Sequence, residues 1–239
     1  MDLLLEGAKE WGLTLTRQEV EAFELYYRQL VLWNERVNLT SIVDYQGVQV
    51  KHFLDSLSCL QVLDALSPDA RCIDIGAGAG FPGLPLKIAR PPMRLTLLES
   101  VRKKVVFLEH VVEELGLRGV EVVWERVEDF ARQPAHRERY DVAMSRAVAH
   151  VATLAEYALP LLRLGGILVA QKGAEIDEEV ESALAAIEVV GGRLREVQTV
   201  FVPGISDPRH LVVVEKAATT PHKFPRRTGM PGKRPLGLT

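Results

Sequence analysis

The chain has little cysteine and little asparagine. Its two cysteines, Cys59 and Cys72, lack metal-ligand spacing, which excludes a disulfide framework and a zinc module. Cys59 falls in a helical pattern and Cys72 in an apolar strand, so both read as reduced core thiols of a cytoplasmic protein. The only asparagines are Asn34 and Asn38, and the charge is rich in Arg and Glu, a composition that leans toward a heat-stable source. No uninterrupted apolar run is long enough to span a membrane. Asp2, Glu6 and Glu10 do not fit a secretory or mitochondrial signal. No acid follows Glu215, whereas Lys216, Lys223, Arg226, Arg227, Lys233 and Arg234 do. A net charge of −3 therefore divides into +6 on this tail and −9 on residues 1–215. Such a tail is a localised polyanion contact, a solvated segment kept basic for solubility, or a segment docked onto the domain by Phe224, Pro225 and Leu236.

What is present is ordinary for a globular chain. Hydrophobic residues make up 47% and charged residues 26% of 239, enough for one large α/β domain with an appendage. Residues 2–66 read as helical. Phe23, Tyr26, Tyr27, Leu30 and Trp33 form an amphipathic stripe, with Thr16 as cap and Glu19 at the capping-box position. Asn34 and Asn38 mark a polar break where this helix stops. His52 and Asp55, three apart on a second helix, suggest a local hydrogen bond.

From Ala70 the pattern becomes strand–helix alternation. Strands are expected at 72–75, 94–98, 120–124, 140–144 and, after Gly165-Gly166, 167–170. Helices are expected at 84–90, 101–115, 151–162 and 177–190. Repeated βαβ units imply a mostly parallel sheet. Segments 197–202 and 211–215, joined by a Pro/Gly-rich turn with no helix, predict an antiparallel hairpin at the end.

The chain is organised around residues 71–83, an apolar strand broken by Gly76, Gly78, Gly80 and Gly83. Glycine permits a sharp turn and close approach of a ligand, and strand–glycine turn–helix builds nucleotide sites. Gly78, Gly80 and Gly83 satisfy the G-x-G-x-x-G dinucleotide pattern, so an NAD-dependent oxidoreductase is one alternative. Two details favour S-adenosylmethionine (SAM). Asp74 precedes the glycines as D-x-G-x-G, and a second apolar run ends at Glu99, which can accept from both ribose hydroxyls. Asp74 can also bond the turn's own amides.

The sequence resembles the RsmG (GidB) family, which methylates N7 of one guanine in small-subunit (16S) ribosomal RNA. The residues that carry the resemblance are Trp33-Asn34 with Asn38-Leu39-Thr40, His52 with Asp55-Ser56-Leu57, Asp74 to Gly83, Ser145-Arg146-Ala147, Gln171-Lys172-Gly173 and the tail from Pro225 to Leu236. It spans nearly the whole chain. It implies a class I SAM-dependent methyltransferase (Rossmann-like) fold: a seven-stranded, mostly parallel sheet with an antiparallel C-terminal hairpin, preceded by a helical N-terminal extension. The expected division is 1–68, 69–217 and a basic tail at 218–239. The resemblance places Gly76 and Phe81 against the methionine portion, Glu99, Ser100 and Val101 near the ribose, Val127 and Glu128 near the adenine, and Arg146 at the mouth. It implies no metal and no catalytic base, with Arg146 positioning the guanine or a phosphate. The competing role for Arg146 is a salt bridge tying its loop. Lys172, Arg226, Arg227, Lys233 and Arg234 are the expected RNA contacts. A SAM-binding sensor without turnover is the alternative from a different class. The chain is expected to be a cytoplasmic monomer without membrane contact.

Overall fold

The computed structural model describes residues 1–63, 67–146, 149–173 and 175–237. Residues 64–66 and Ala147, both within expected features, lie outside the described residues. Seven strands form one sheet: β1 (Arg71–Ile75), β2 (Arg94–Glu99), β3 (Val120–Trp124), β4 (Tyr140–Arg146), β5 (Leu162–Lys172), β6 (Gly192–Val200) and β7 (Arg209–Lys216). Their order is β3-β2-β1-β4-β5-β7-β6. The first five pair in parallel, while β7 runs antiparallel to both β5 and β6. The expected hairpin is therefore present, with the last strand inserted between earlier ones. β1 is buried from Cys72 onward because parallel strands are covered on both faces.

Helices α1 (Asp2–Glu10) and α2 (Arg17–Val37) begin the chain. Thr16 and Glu19 form the predicted capping box. At the far end Asn38 adopts φ 40°, and Asn34 Oδ1 accepts from the amides of Leu39 and Thr40 at 2.7 and 2.9 Å. The two asparagines thus end the helix, one by tolerating left-handed backbone and one by replacing lost carbonyls. Phe23, Tyr26 and Leu30 are fully buried in the same apolar cluster as Leu84, Leu97 and Phe107. The N-terminal helices therefore share the sheet's core, and burying each such side chain contributes about 1.5–3 kcal/mol.

The next segment holds α3 (Tyr45–Val48), a π-helical stretch (Gln49–Leu54), α4 (Asp55–Leu57) and α5 (Leu60–Leu63). Helices α6 (Gly83–Ala89), α7 (Arg102–Glu114), α8 (Val127–Phe130), α9 (Val151–Ala158), α10 (Asp177–Val189) and α11 (Met230–Lys233) follow. Three expectations need correction. The helix expected at 151–162 stops at Ala158, and Gly165-Gly166 lies inside β5, not before it. A Cβ at Gly166 would sit 3.0 Å from three carbonyl oxygens, so the close strand approach demands glycine there. β6 starts at Gly192, earlier than expected. The tail is not an unpacked appendage. Phe224 is buried in the same apolar cluster as residues of α9 and α10, and α11 packs on α9.

Candidate active site

The glycine turn hangs from the end of β1. Gly76 and Ala77 donate to the Leu98 carbonyl at 2.9 and 3.2 Å, and Gly76, Gly78 and Gly80 take φ of 71°, 62° and 95°. Asp74 is fully buried beneath the turn. Its Oδ2 accepts from the Gly83 amide at 2.8 Å, and its Oδ1 has no partner. Burial pushes this carboxyl up to about 7, against the opposing pull of the Gly83 amide and Arg146. Asp74 lines neither cavity described below; it ties the end of the turn to the strand. Gly80 also faces protein, because a Cβ there would strike Leu84 and the Tyr26 hydroxyl, which itself donates to the Ala79 carbonyl. Asp74 and Gly80 therefore shape the loop, while Gly76 and Gly78 line an open cavity.

Glu99 closes β2. It is buried, not an exposed strand end, with Oε2 accepting from the Gly78 amide at 3.0 Å and Oε1 from Val101 at 2.8 Å. Each oxygen keeps a second lone pair, so the carboxylate can still accept from a diol. Val101 contributes that amide only; its side chain is exposed.

Two cavities adjoin along the carboxyl ends of the strands. One, of about 450 Å³, is lined by Ile75, Leu98, Val127, Glu128 and Tyr157 among others. The second, of about 480 Å³, is lined by Gly78, Phe81, Glu99, Lys104, His52 and Arg146 among others. Both share Gly76 and Ser100. The first sets the apolar side chains of Ile75, Leu98 and Val127 beside the polar ones of Glu125, Arg126, Glu128 and His150. The buried Oε2 of Glu128 there has no hydrogen-bond partner, as an exocyclic amine would require. The second is charged. Glu99 lines the second cavity, next to the wall of Gly76 and Ser100 that the two share.

Arg146 is fixed at the second cavity. Its NH1 donates to Asp55 Oδ2 at 3.1 Å and to the Lys51 carbonyl at 3.3 Å, NH2 lies 3.3 Å from His52 Nδ1, and the guanidinium sits 4.7 Å above the Phe81 ring. The salt bridge and the position at the mouth therefore coexist. Asp55 also holds Arg209 at 2.9 Å. The expected His52–Asp55 bond is replaced by contacts of each with Arg146. The π-helical stretch carries His52 onto the Phe81 ring, 4.6 Å between centroids, with Nε2 at 2.7 Å from Thr40 Oγ1. Burial and the neighbouring guanidinium lower His52 to about 4, so the imidazole is neutral at physiological pH.

The family profile described as rRNA small subunit methyltransferase G (GidB) matches residues 19–212. The chain belongs to this family. It is 50% identical to the ribosomal RNA small subunit methyltransferase G of Roseiflexus sp. (strain RS-1), over 99% of this chain and all of that protein. The Staphylococcus carnosus protein of the same name is 42% identical over 99% of this chain and 98% of its own length. Among solved structures, M. jannaschii TYW2 in complex with AdoMet matches with a TM-score of 0.53 at 15% identity, over 73% of this chain and 77% of that one. A predicted O-methyltransferase from Agrobacterium tumefaciens matches with 0.53 at 20% identity, over 70% and 80%. These two likenesses show the shared class I methyltransferase fold. Membership in this family sets the oxidoreductase alternative aside.

In this GidB-family chain the expected RNA contacts divide. Lys172 is spent on the Ala149 carbonyl and Glu179 at 2.5 and 2.6 Å. Arg226 forms a bidentate pair with the fully buried Glu156, Nε–Oε1 2.9 Å and NH2–Oε2 2.7 Å. Lys216 is buried too. Arg227, Lys233 and Arg234 are exposed. Glu128 gives one oxygen to the amide of Gly229, in the tail, at 2.7 Å. Sequence reasoning missed Thr40, Lys104, Thr153, Tyr157, Gly232 and Pro235 as cavity residues. Glu156 was legible in principle, as a lone acid in the apolar helix α9 that must have a partner.

Proposed function

We infer that this protein transfers the methyl group of SAM to N7 of one guanine in 16S ribosomal RNA, acting as a cytoplasmic monomer. The enzyme class and the substrate class follow from family membership. The observation that carries the site assignment is the pair of adjoining cavities that share Gly76 and Ser100, with Glu99 lining the second. The backbone of Gly76 and Gly78, the carboxylate of Glu99, Ser100, Phe81, Val127 and Glu128 would hold SAM, which supplies an electrophilic methyl on a sulfonium.

The remaining residues position the acceptor. Guanine N7 carries a lone pair and no proton at neutral pH, so in-line attack needs no general base. His52 is then a packing residue at the cavity wall, held between Phe81 and Thr40. Alignment of reactants can supply several kcal/mol of the barrier. Arg146 has donors beyond those used on Asp55, Lys51 and His52, and a guanidinium can pair with guanine O6 while N7 stays free. Arg227, Lys233 and Arg234 supply exposed charge for phosphates, each contact adding roughly 0.7 to 0.9 to the log–log salt slope. Single-turnover transfer of labelled methyl from SAM to 16S ribosomal RNA separates this enzyme from a sensor, which binds SAM and transfers nothing.

Glu99→Ala removes the ribose acceptor and orphans the Gly78 amide. SAM affinity is expected to fall by about 1–3 kcal/mol, the cost of losing a charged hydrogen bond. Titration calorimetry reads this directly, and an unchanged dissociation constant would confine Glu99 to shaping the loop.

A further inference from the structure

The C-terminal tail, read from its charge as an RNA contact, reaches the other side of the molecule's chemistry. Gly232 and Pro235 line the first cavity together with Val127 and Glu128. The segment is pinned there by bonds on both flanks. Arg226 pairs with Glu156, and its NH2 also donates to the Arg234 carbonyl at 2.8 Å, which closes residues 226–234 into a loop. Within the loop, Thr228 donates to Asp129 at 2.8 Å, Gly229 to Glu128 at 2.7 Å, and Thr153 to the Pro231 carbonyl at 3.2 Å. Asp129 and Glu128 belong to α8 and Thr153 to α9, the two helices that flank the slot.

We propose that residues 226–235 form the outer wall of the adenine half of the cofactor site and orient Glu128 toward the ring. This rests on the assignment of the groove to SAM. The Gly229 amide occupies Oε1 of Glu128, while the buried Oε2 forms an ion pair with Arg126 Nε at 3.7 Å and has no hydrogen-bond partner. A carboxylate oxygen in that state takes the exocyclic amine of an adenine. The tail is then a cofactor element whose outer surface carries Lys233 and Arg234, so one segment meets both SAM and RNA.

Gly232→Leu tests the wall. The added Cβ would lie 3.5 Å from the Tyr157 hydroxyl, an ordinary contact, and the longer side chain then projects beside Tyr157, itself a lining residue. Calorimetry should show SAM and 5′-methylthioadenosine both weakened by roughly tenfold or more, with the melting temperature of the ligand-free protein unchanged. Loss for 5′-methylthioadenosine locates the effect at the adenine end, since that compound lacks the amino-acid end. Pro235→Ala, which opens the slot instead of filling it, should weaken both ligands in the same direction and decides the matter should Gly232→Leu not fold. Wild-type affinity for both compounds in a folded Gly232→Leu or Pro235→Ala protein overturns the wall. Absence of SAM binding by the unmodified protein would instead overturn the assignment of the groove.

Discussion

Gly78→Val is expected to abolish SAM binding. Gly78 sits at φ 62° with its amide on Glu99, and a Cβ placed there meets no protein atom closer than the Gly76 carbonyl at 3.8 Å. The open side is the second cavity, so a branched side chain occupies ligand space and collides with nothing else. The left-handed backbone adds its own cost, roughly 1–2 kcal/mol for a residue with a Cβ. In a chain of this size that lowers the melting temperature by about 2–8 °C, using 2–4 °C per kcal/mol. The expected result is a folded, somewhat less stable protein with no calorimetric SAM signal. Near-wild-type affinity would place the cofactor elsewhere.

Arg226→Ala is expected to destabilise the fold itself. It removes the partner of Glu156, whose side chain is 0% exposed. Uncompensated buried charge is the costly outcome of breaking an ion pair, of order 3 kcal/mol for a pair this enclosed. A fall of about 6–12 °C in melting temperature should follow. Arg226→Lys should recover only part of it, because an ammonium cannot reproduce the bidentate geometry. Removing Arg227, Lys233 and Arg234 charges should leave the melting temperature near wild type and weaken RNA binding. Equal melting temperatures for Arg226→Ala and the unmodified protein would return the tail to a mobile polyanion arm.

That contrast marks what could be read in advance. Features decided by neighbours in sequence were legible. The capping box of Thr16 and Glu19, the asparagine stop at Asn34 and Asn38, and the apolar runs of β1, β2 and β3 all lie where local pattern places them. The antiparallel hairpin was legible because Pro and Gly replace a crossover helix between β6 and β7. Features decided by distant partners were not. Gly165-Gly166 reads as a stop, but Gly166 is required by carbonyls of Tyr140 and Asp141 on another strand. The tail's charges are visible in the sequence, but the acids that hold it, Glu156 and Glu128, lie 70 and 101 residues before their partners. At the site, Glu99 and the glycine turn followed from local spacing. The contact between Arg146 and Asp55 spans 91 residues and needed the fold.

The division of labour within the site follows from the same distances. Asp74, Gly80 and Gly83 hold the turn's shape, and Glu99, Gly76 and Gly78 face outward from it. Asp55 braces Arg146 against Phe81 and simultaneously holds Arg209 of β7, so one carboxylate joins the helical N-terminal portion to both halves of the sheet.

Methyl transfer to guanine N7 is read most directly from the position of a label. Small-subunit RNA from a strain lacking the gene is incubated with the protein and SAM labelled in its methyl group, then digested to nucleosides. The label should comigrate with 7-methylguanosine and map to a single guanine of 16S RNA, and Gly78→Val should transfer none. Label in another nucleoside, or no transfer to any form of the small-subunit RNA, would contradict the account.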